Sequence, residues 1–394
     1  MINIINMSGS GWIGAEEAQT RLGVRPQTLY AYVSRGRVQV RSDPDDPRRS
    51  LYRLADIEAL AARKARSRRA SDVAAGAIDW GEPMMESEIT TVSDGRLFYR
   101  GRDAIRLAES ETLESVARLL RGGHGAALKR AERPAPPDAP DLKTRLFLAL
   151  GRRAAVDPAA RGRAPLALAA EAATLLDVVA DAAAGALGGG AIHNRLALAW
   201  GVGPGGAGAD LIRRMLVLVA DHEFNASAFA ARVAASTGAS LAASALAGLS
   251  TLSGPRHGTA GEAVRALARE AAQFGPGPAI AARLAHDRAL PGFGHLLYPE
   301  GDPRAAALID RFMVPPPLAA LQKRAAAAGQ APNIDFALIA GCEALGLPED
   351  APFGLFAVAR CAGWIAHAIE QGQSDRLIRP RARYVGPEPE QSEA

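Results

Sequence analysis

Residues 220–239 read ADHEFNASAFAARVAASTGA, in which a short polar segment precedes a run of small, helix-forming residues. The polar segment contains His222. Two further histidines lie downstream in segments rich in glycine and proline, His257 in LSGPRHG and His295 in PGFGH. Because glycine and proline break helices, we expect these two histidines on turns at helix ends rather than on core faces.

The rest of the chain also favours helix. Its 394 residues are enough for two or three domains, and alanine and leucine carry the apolar content, whereas aromatic residues contribute only 5%. Long stretches of Ala, Leu, Arg and Glu predict a mainly α fold. Asp94-Gly95 lies between two apolar runs and predicts a β-hairpin.

The first 64 residues have a pattern of their own. In order, it comprises helical segments 15–22 and 26–36 joined at Gly23, β-prone runs 38–40 and 51–53, and a third helical segment at 54–64. This pattern resembles the winged helix-turn-helix of the MerR and excisionase type. The residues on or beside its recognition helix, which would face DNA, are Arg25, Gln27, Thr28, Tyr30 and Arg35.

Charge is distributed unevenly along the chain. Residues 1–70 carry 13 Lys+Arg against 7 Asp+Glu, a net charge of +6, and the remainder carries 33 against 35, a net charge of −2. The basic excess therefore lies entirely in the first segment, which indicates an acidic partner such as nucleic acid. The alternative is a small packing domain that keeps an ancestral shape.

From Ile78 to Gly386 the chain resembles the citrate synthases. Besides the three histidine motifs, the resemblance rests on DPRA at 302–305, PNIDF at 332–336 and IRPRARYVG at 378–386, in the family's order and at similar spacing. It implies a two-domain helical fold. It also implies an acyltransferase that condenses a short acyl-CoA with oxaloacetate, which gives citrate or 2-methylcitrate and free coenzyme A.

The resemblance assigns catalysis to His257, His295 and Asp335. Asp335 would remove a proton from the carbon next to the thioester carbonyl, His257 would stabilise the enol oxygen, and His295 would polarise the ketone of oxaloacetate. An ordinary Asp, with a pKa of about 4, is a weak base, and raising its pKa by roughly two units takes about 3 kcal/mol. The apolar neighbours in NIDF are compatible with such a shift. A helix N-terminus beside Gly258 would keep His257 neutral.

By motif, the resemblance assigns substrate binding to His222, Arg304, Arg360 and Arg379. Guanidinium groups bind carboxylates bidentately, and oxaloacetate carries two carboxylates. Pro380 favours extended backbone at Arg379, so this segment could cross a subunit interface. The resemblance therefore implies at least a homodimer, in which Arg379 reaches oxaloacetate in the neighbouring subunit. No permanently bound cofactor is expected, since acyl-CoA is a substrate, and no metal site is expected.

Four positions depart from the family pattern. Val219 stands where many relatives have His, and Gly258-Thr259-Ala260-Gly261 replaces a common Gly-Gly-Ala-Asn. Leu296 follows His295 where a basic residue is common, and residues 325–330 contain no basic residue, which weakens the case for contacts to the coenzyme A phosphates. All three catalytic positions match the family motif, so we expect an active enzyme.

The expected domains are a winged helix-turn-helix at 1–64, a linker at 65–78, a large domain at 79–258 with 362–394, and a small domain at 259–361. The active site should lie in the cleft between the large and small domains. Two alternatives stay open: a transcription regulator that uses the synthase domain as a metabolite sensor, and a non-catalytic partner subunit. The presence of only two cysteines and the absence of a signal-peptide pattern or a long apolar run predict a cytoplasmic protein. The preference for acetyl or propionyl depends on pocket volume and stays open.

Overall fold

A computed structural model describes residues 11–24, 26–34, 37–44, 46–61, 85–123, 132–285, 289–382 and 384–387. Two compact units divide the chain, Met1–Glu86 and Ser87–Ala394. Two of the residues predicted to face DNA, Arg25 and Arg35, lie outside the described residues.

The first unit combines a small sheet with short helices. Its elements are β1 (Trp12–Gly14), α1 (Ala15–Leu22), α2 (Pro26–Ser34), β2 (Val40–Ser42), β3 (Ser50–Arg53) and α3 (54–61). The strands pair antiparallel in the order β1-β3-β2. Gly23 ends α1 at a φ of 58°, a left-handed conformation that glycine adopts without steric cost. Strand β2 begins at Val40, two residues after the start of the β-prone run, and Val40 pairs with Tyr52.

The second unit is mainly helical, as the sequence predicts. Its strands are β4 (Thr90–Ser93), β5 (Arg96–Tyr99) and β6 (Arg102–Asp103). Its helices are α4 (Ala104–Ser110), α5 (Leu113–Leu120), α6 (Leu142–Val156), α7 (Pro165–Ala184), α8 (Ile192–Ala199), α9 (Ala207–Leu218), α10 (Ala226–Ser236), α11 (Leu241–Leu252), α12 (Ala260–Phe274), α13 (Pro276–Leu284), α14 (Pro303–Ile309), α15 (Pro316–Ala326), α16 (Ile334–Ala344) and α17 (Ala351–Ser374).

The predicted hairpin is confirmed between β4 and β5. Thr90 pairs with Tyr99 and Ser93 with Arg96, which leaves Asp94 and Gly95 as the two turn residues. Both have a positive φ, 50° and 68°, as the two-residue turn of a right-twisted hairpin requires.

Helix α17 forms the centre of the larger hydrophobic core. By length and composition it could cross a membrane, but 83% of its most apolar window is buried inside the protein, as expected of a core helix. The indole of Trp364 in α17 packs directly on Gly248 of α11, where an added Cβ would come within 2.6 Å of the ring. A glycine is needed there for α11 and α17 to approach this closely.

A second, smaller core lies among helices α12, α13, α15 and α16. Helix α16 contributes to both cores, since Ala337 and Leu338 pack in the larger one and Phe336 and Ile339 in the smaller one. The residues that follow Asn333 are therefore held between two hydrophobic clusters. The domain boundaries drawn from the sequence stay a prediction.

Candidate active site

The three histidines singled out in the sequence all lie on turns of the second unit. His222 precedes α10, His257 precedes α12, and His295 lies in the irregular segment before α14. The rings of His222 and His295 approach edge to face, with 5.3 Å between their centroids. Residues 73 positions apart are thus brought into contact, as a shared site requires.

His295 is held as a neutral hydrogen-bond donor. The backbone N–H of Leu297 donates to its Nδ1 at 3.1 Å, which leaves the ring proton on Nε2. Burial, reinforced by the nearby Arg304 guanidinium, lowers the pKa of His295 below its usual value. The neutral ring therefore offers Nε2–H to a substrate oxygen.

His257 shares a serine hydroxyl with two other groups. Its Nε2 lies 2.8 Å from Oγ of Ser227, which also accepts a hydrogen bond from the Trp364 indole at 3.0 Å and lies 2.6 Å from Oδ1 of Asn225. Burial, followed by the charge of Arg360, lowers the pKa of His257 to about 4, so the ring is neutral at physiological pH. The Ser227 hydroxyl has one proton, and Oδ1 of Asn225 accepts it; only when that proton turns to Nε2 of His257 does the ring proton lie on Nδ1, where it can be donated to a substrate.

Asp335 lies in the first turn of α16, two residues after the capping residue Asn333. The Asn333 side chain accepts the backbone N–H groups of Asp335 and Phe336, so the carboxylate of Asp335 is not used as the cap. Burial raises the pKa of Asp335 to about 6, against the opposing influence of Arg304. The sequence-based expectation of a raised pKa agrees with this environment, and the carboxylate is a stronger base than an exposed one.

Two arginines are buried in the same region but differ in their partners. Arg304 is 2% exposed and forms a bidentate ion pair with Asp302, at 2.9 Å from Nε and 2.8 Å from Nη2. Arg360 is equally buried, yet its Nε donates only to the Val219 carbonyl at 3.0 Å and its Nη1 has no partner. A buried guanidinium with a free N–H suits an incoming carboxylate.

The loop that carries His222 is anchored by its neighbour Asp221. The Asp221 carboxylate accepts the Thr90 hydroxyl at 2.5 Å and lies 3.2 Å from Nε2 of His367. The Tyr99 hydroxyl lies 3.0 Å from the carbonyl oxygen of Val217, at the end of α9, and 3.3 Å from that of Asp221 in the loop. These contacts fix the loop from β4, β5 and α17.

Sequence reasoning missed one residue of this cluster, Tyr298. Its hydroxyl lies 2.9 Å from Nε2 of His222, and its ring centroid lies 4.8 Å from that of His295. The guanidinium of Arg304 lies over the same ring, 5.2 Å from its centroid. No sequence signal marks Tyr298, because its hydrogen-bond partner His222 comes from a distant segment.

Arg379, the remaining predicted site residue, stands apart from this cluster. It lies in the irregular segment after α17, its side chain is exposed, and none of the contacts among the described residues joins it to the other six. Within the described residues, no group of three or more His, Cys, Asp or Glu side chains could hold a metal ion.

The chain matches one family model and several known proteins. The model for the citrate synthase C-terminal domain matches residues 157–381. Citrate synthase 2 of Bacillus subtilis is 36% identical over 191 residues, 45% of this chain and 51% of that protein. The 2-methylcitrate synthase 2 of Corynebacterium glutamicum is 34% identical over 218 residues, 50% of this chain and 56% of that protein. The chain thus spans about half the length of the curated relatives it matches.

Solved structures agree with this assignment over a longer stretch. The citrate synthase of Thermotoga maritima superposes with a TM-score of 0.65 and 26% identity, over 79% of this chain and 96% of that one. The Thermoplasma acidophilum enzyme, in a ternary complex with carboxymethyl coenzyme A and oxaloacetate, has a TM-score of 0.63 at 22% identity, which shows the fold alone. With a family model that matches more than half of its length and a matching fold, this chain belongs to the citrate synthase family.

Proposed function

We propose that this protein condenses a short acyl-CoA with oxaloacetate and releases citrate or 2-methylcitrate and coenzyme A. The observation that carries the proposal is Asp335, whose pKa burial raises to about 6, in one unit with two neutral histidines. The matched relatives include both citrate and 2-methylcitrate synthases, so acetyl-CoA and propionyl-CoA are both candidate substrates.

The reaction would proceed in three steps. The Asp335 carboxylate takes a proton from the carbon next to the thioester carbonyl, and His257 donates a hydrogen bond to the resulting enol oxygen. The enol carbon then bonds to the ketone carbon of oxaloacetate, while Nε2–H of His295 supports the developing alkoxide. Water finally hydrolyses the thioester, which releases the coenzyme A thiol and a new carboxylate.

Oxaloacetate would be held by its two carboxylates. Arg360 supplies an unpaired buried N–H, and Arg304 lies beside His222 and His295 through the shared Tyr298 ring. Arg379 would come from a second copy of the chain in a homodimer or a larger assembly. Its exposed position beyond α17 supports this role, since it leaves the guanidinium free to reach a neighbour.

The decisive experiment measures thiol release with oxaloacetate and either acetyl-CoA or propionyl-CoA. We expect wild type to release coenzyme A only when both substrates are present. Asp335→Asn removes the base but keeps the side-chain shape, so turnover should fall by roughly a hundredfold or more while oxaloacetate binding persists. A wild-type protein without turnover on either acyl-CoA would contradict the proposal.

For the first unit we propose DNA binding as an accessory property of a cytoplasmic enzyme, not as its main function. Gln27, Thr28 and Tyr30 lie on the exposed side of α2, whereas Leu29 is buried beneath them. The basic excess of residues 1–70 suits a phosphate backbone. Residues 1–64 would form this DNA-binding domain and residues 65–78 its linker. Residues 79–258 with 362–394 would form the large synthase domain, and residues 259–361 the small one.

A further inference from the structure

Tyr298 occupies a central position among the residues that would bind oxaloacetate. It is 2% exposed and lies between two tight turns, since its N–H donates to the His295 carbonyl and its own carbonyl accepts from Gly301 N–H, each at 3.0 Å. Three of the seven predicted site residues contact its side chain: His222, His295 and Arg304. This contact set gives the phenol two separable parts, a hydroxyl and a ring.

The hydroxyl acts on His222 alone among the site residues. His222 is buried, and burial followed by the charges of Arg304 and Arg360 lowers its pKa well below the usual value, so its ring is neutral. A neutral imidazole carries one proton, and the partner of one nitrogen decides which nitrogen holds it. Nε2 of His222 has the Tyr298 hydroxyl as its partner at 2.9 Å.

The ring contacts all three residues, because its centroid also lies 5.7 Å from that of the His222 imidazole. It packs against the His295 imidazole with 41° between the planes, and the Arg304 guanidinium lies over it. Since Asp302 already takes Nε and Nη2 of Arg304, the ring restrains that guanidinium together with the ion pair. The phenol thus links the ketone-polarising histidine to one carboxylate-binding arginine.

We propose that Tyr298 is the positioning residue of the oxaloacetate subsite: its hydroxyl holds His222 in one tautomer, and its ring holds His295 and Arg304 in place. The proposal rests on the proposed condensation with oxaloacetate. Loss of the hydroxyl should affect substrate binding, because the hydroxyl contacts a substrate-binding residue. Loss of the ring should also affect catalysis, because the ring contacts a catalytic residue.

Two substitutions separate the two parts. Tyr298→Phe removes only the hydroxyl, so we expect the KM for oxaloacetate to rise roughly three- to tenfold, as the loss of one hydrogen bond allows, with kcat within about twofold of wild type. Tyr298→Leu also removes the ring, so kcat should fall as well, because His295 loses its support. Tyr52→Phe removes a buried phenol hydroxyl from the first unit and serves as the control, with kinetics equal to wild type.

A double-mutant cycle then distinguishes positioning from a general effect on packing. If the Tyr298 hydroxyl acts through His222, Tyr298→Phe should add almost nothing to the KM of His222→Asn. Additive effects of the two substitutions on KM would overturn the proposal, as would wild-type kinetics in Tyr298→Phe.

A measurement that does not depend on turnover tests the role of Tyr298 independently of the proposed function. Nitrogen NMR of labelled histidine, with the His222 signals assigned from His222→Asn, should show one His222 tautomer in wild type and a mixture in Tyr298→Phe. A tautomer mixture in wild type would overturn the proposal even if the enzyme is active. If wild type shows no turnover, the condensation proposal fails, while the tautomer spectra still decide the role of Tyr298.

Discussion

At the residue scale, the two buried arginines of the site differ in their hydrogen-bond and ion-pair partners. Arg304 shares its charge with Asp302, whereas Arg360 keeps an Nη1 group without a partner, and burial lowers its pKa. A buried charge without a partner costs free energy, and removing one member of a buried pair costs free energy as well. Replacing each arginine with an apolar residue of similar length should therefore change stability in opposite directions.

We predict that Arg360→Met leaves the ligand-free unfolding free energy unchanged or raises it by on the order of 1 kcal/mol. Oxaloacetate should stabilise wild type by binding only the folded state, and it should no longer raise the melting temperature of this variant. Arg304→Met is the matched comparison, and its unfolding free energy should fall by roughly 3–5 kcal/mol because Asp302 stays buried without its partner. Thermal and urea denaturation with and without oxaloacetate test both; a large loss of stability in Arg360→Met would contradict the prediction.

A second residue-scale prediction concerns pH. The reactive form of Asp335 is the carboxylate, and burial raises the pKa of this group to about 6. As pH falls through about 6, the carboxylate takes up a proton and kcat/KM should drop about tenfold per unit. His257, whose pKa burial lowers to about 4, stays neutral across this range and should not contribute. A pH–rate profile with its acid limb near 4 would contradict the assignment to Asp335.

The site residues show how far the sequence allows prediction. His222, His257, His295, Arg304 and Asp335 stand in short motifs with turn or capping residues, so their roles could be inferred from local context and family resemblance. Tyr298 could not be identified in this way. Its partner His222 lies 76 positions away, and only the packing of the segment before α14 against the His222 loop brings them together.

At the element scale, the packing of α16 could not be predicted from its sequence. Its sequence IDFALIAGCEA is apolar almost throughout and does not reveal which face packs where. In the structure one face packs in the larger core and the other in the smaller core, so Asp335, the candidate base, lies on the helix that both cores share. Helix positions could be predicted from periodicity and breakers, whereas the division of its faces between two cores depends on the tertiary fold.

Helix α2 is the element through which we predict DNA binding. Thr28 lies on its exposed face beside Tyr30, which is 62% exposed. We predict that full-length protein binds duplex DNA with an affinity that falls as salt rises, and that Thr28→Glu weakens it roughly tenfold by repelling phosphate. Thr20→Glu places the same charge on the exposed side of α1 and should bind like wild type. Anisotropy titrations at low salt test this; equal affinities for all three proteins would remove α2 from the interface.

At the scale of the whole molecule, one predicted site residue stands apart from the others. All seven predicted site residues lie in the second unit, but Arg379 is exposed beyond the end of α17, and no contact among the described residues joins it to the other six. This arrangement fits an active site completed by a second copy, whose exposed arginine would supply the last carboxylate contact. A charge-assisted hydrogen bond of this kind contributes about 1.5–3 kcal/mol.

Arg379→Ala should therefore weaken oxaloacetate binding by roughly ten- to a hundredfold. Mixing it with Asp335→Asn under conditions of subunit exchange should restore part of the activity, because a mixed dimer contains one site with both defects and one with neither. Arg381→Ala, which removes another exposed arginine of the same segment, is the matched control. If exchange is verified and activity does not return, Arg379 does not act across the interface.

The hydroxyl shared by Trp364 and His257 has an optical consequence. Trp364 is fully buried, and its indole N–H donates to the same Ser227 Oγ that contacts His257. Indole fluorescence responds to the polarity and hydrogen bonding around that N–H. The protein therefore carries an intrinsic fluorophore one hydroxyl away from the candidate catalytic imidazole, and we expect the binding of the proposed acyl-CoA substrate to change its emission without any label.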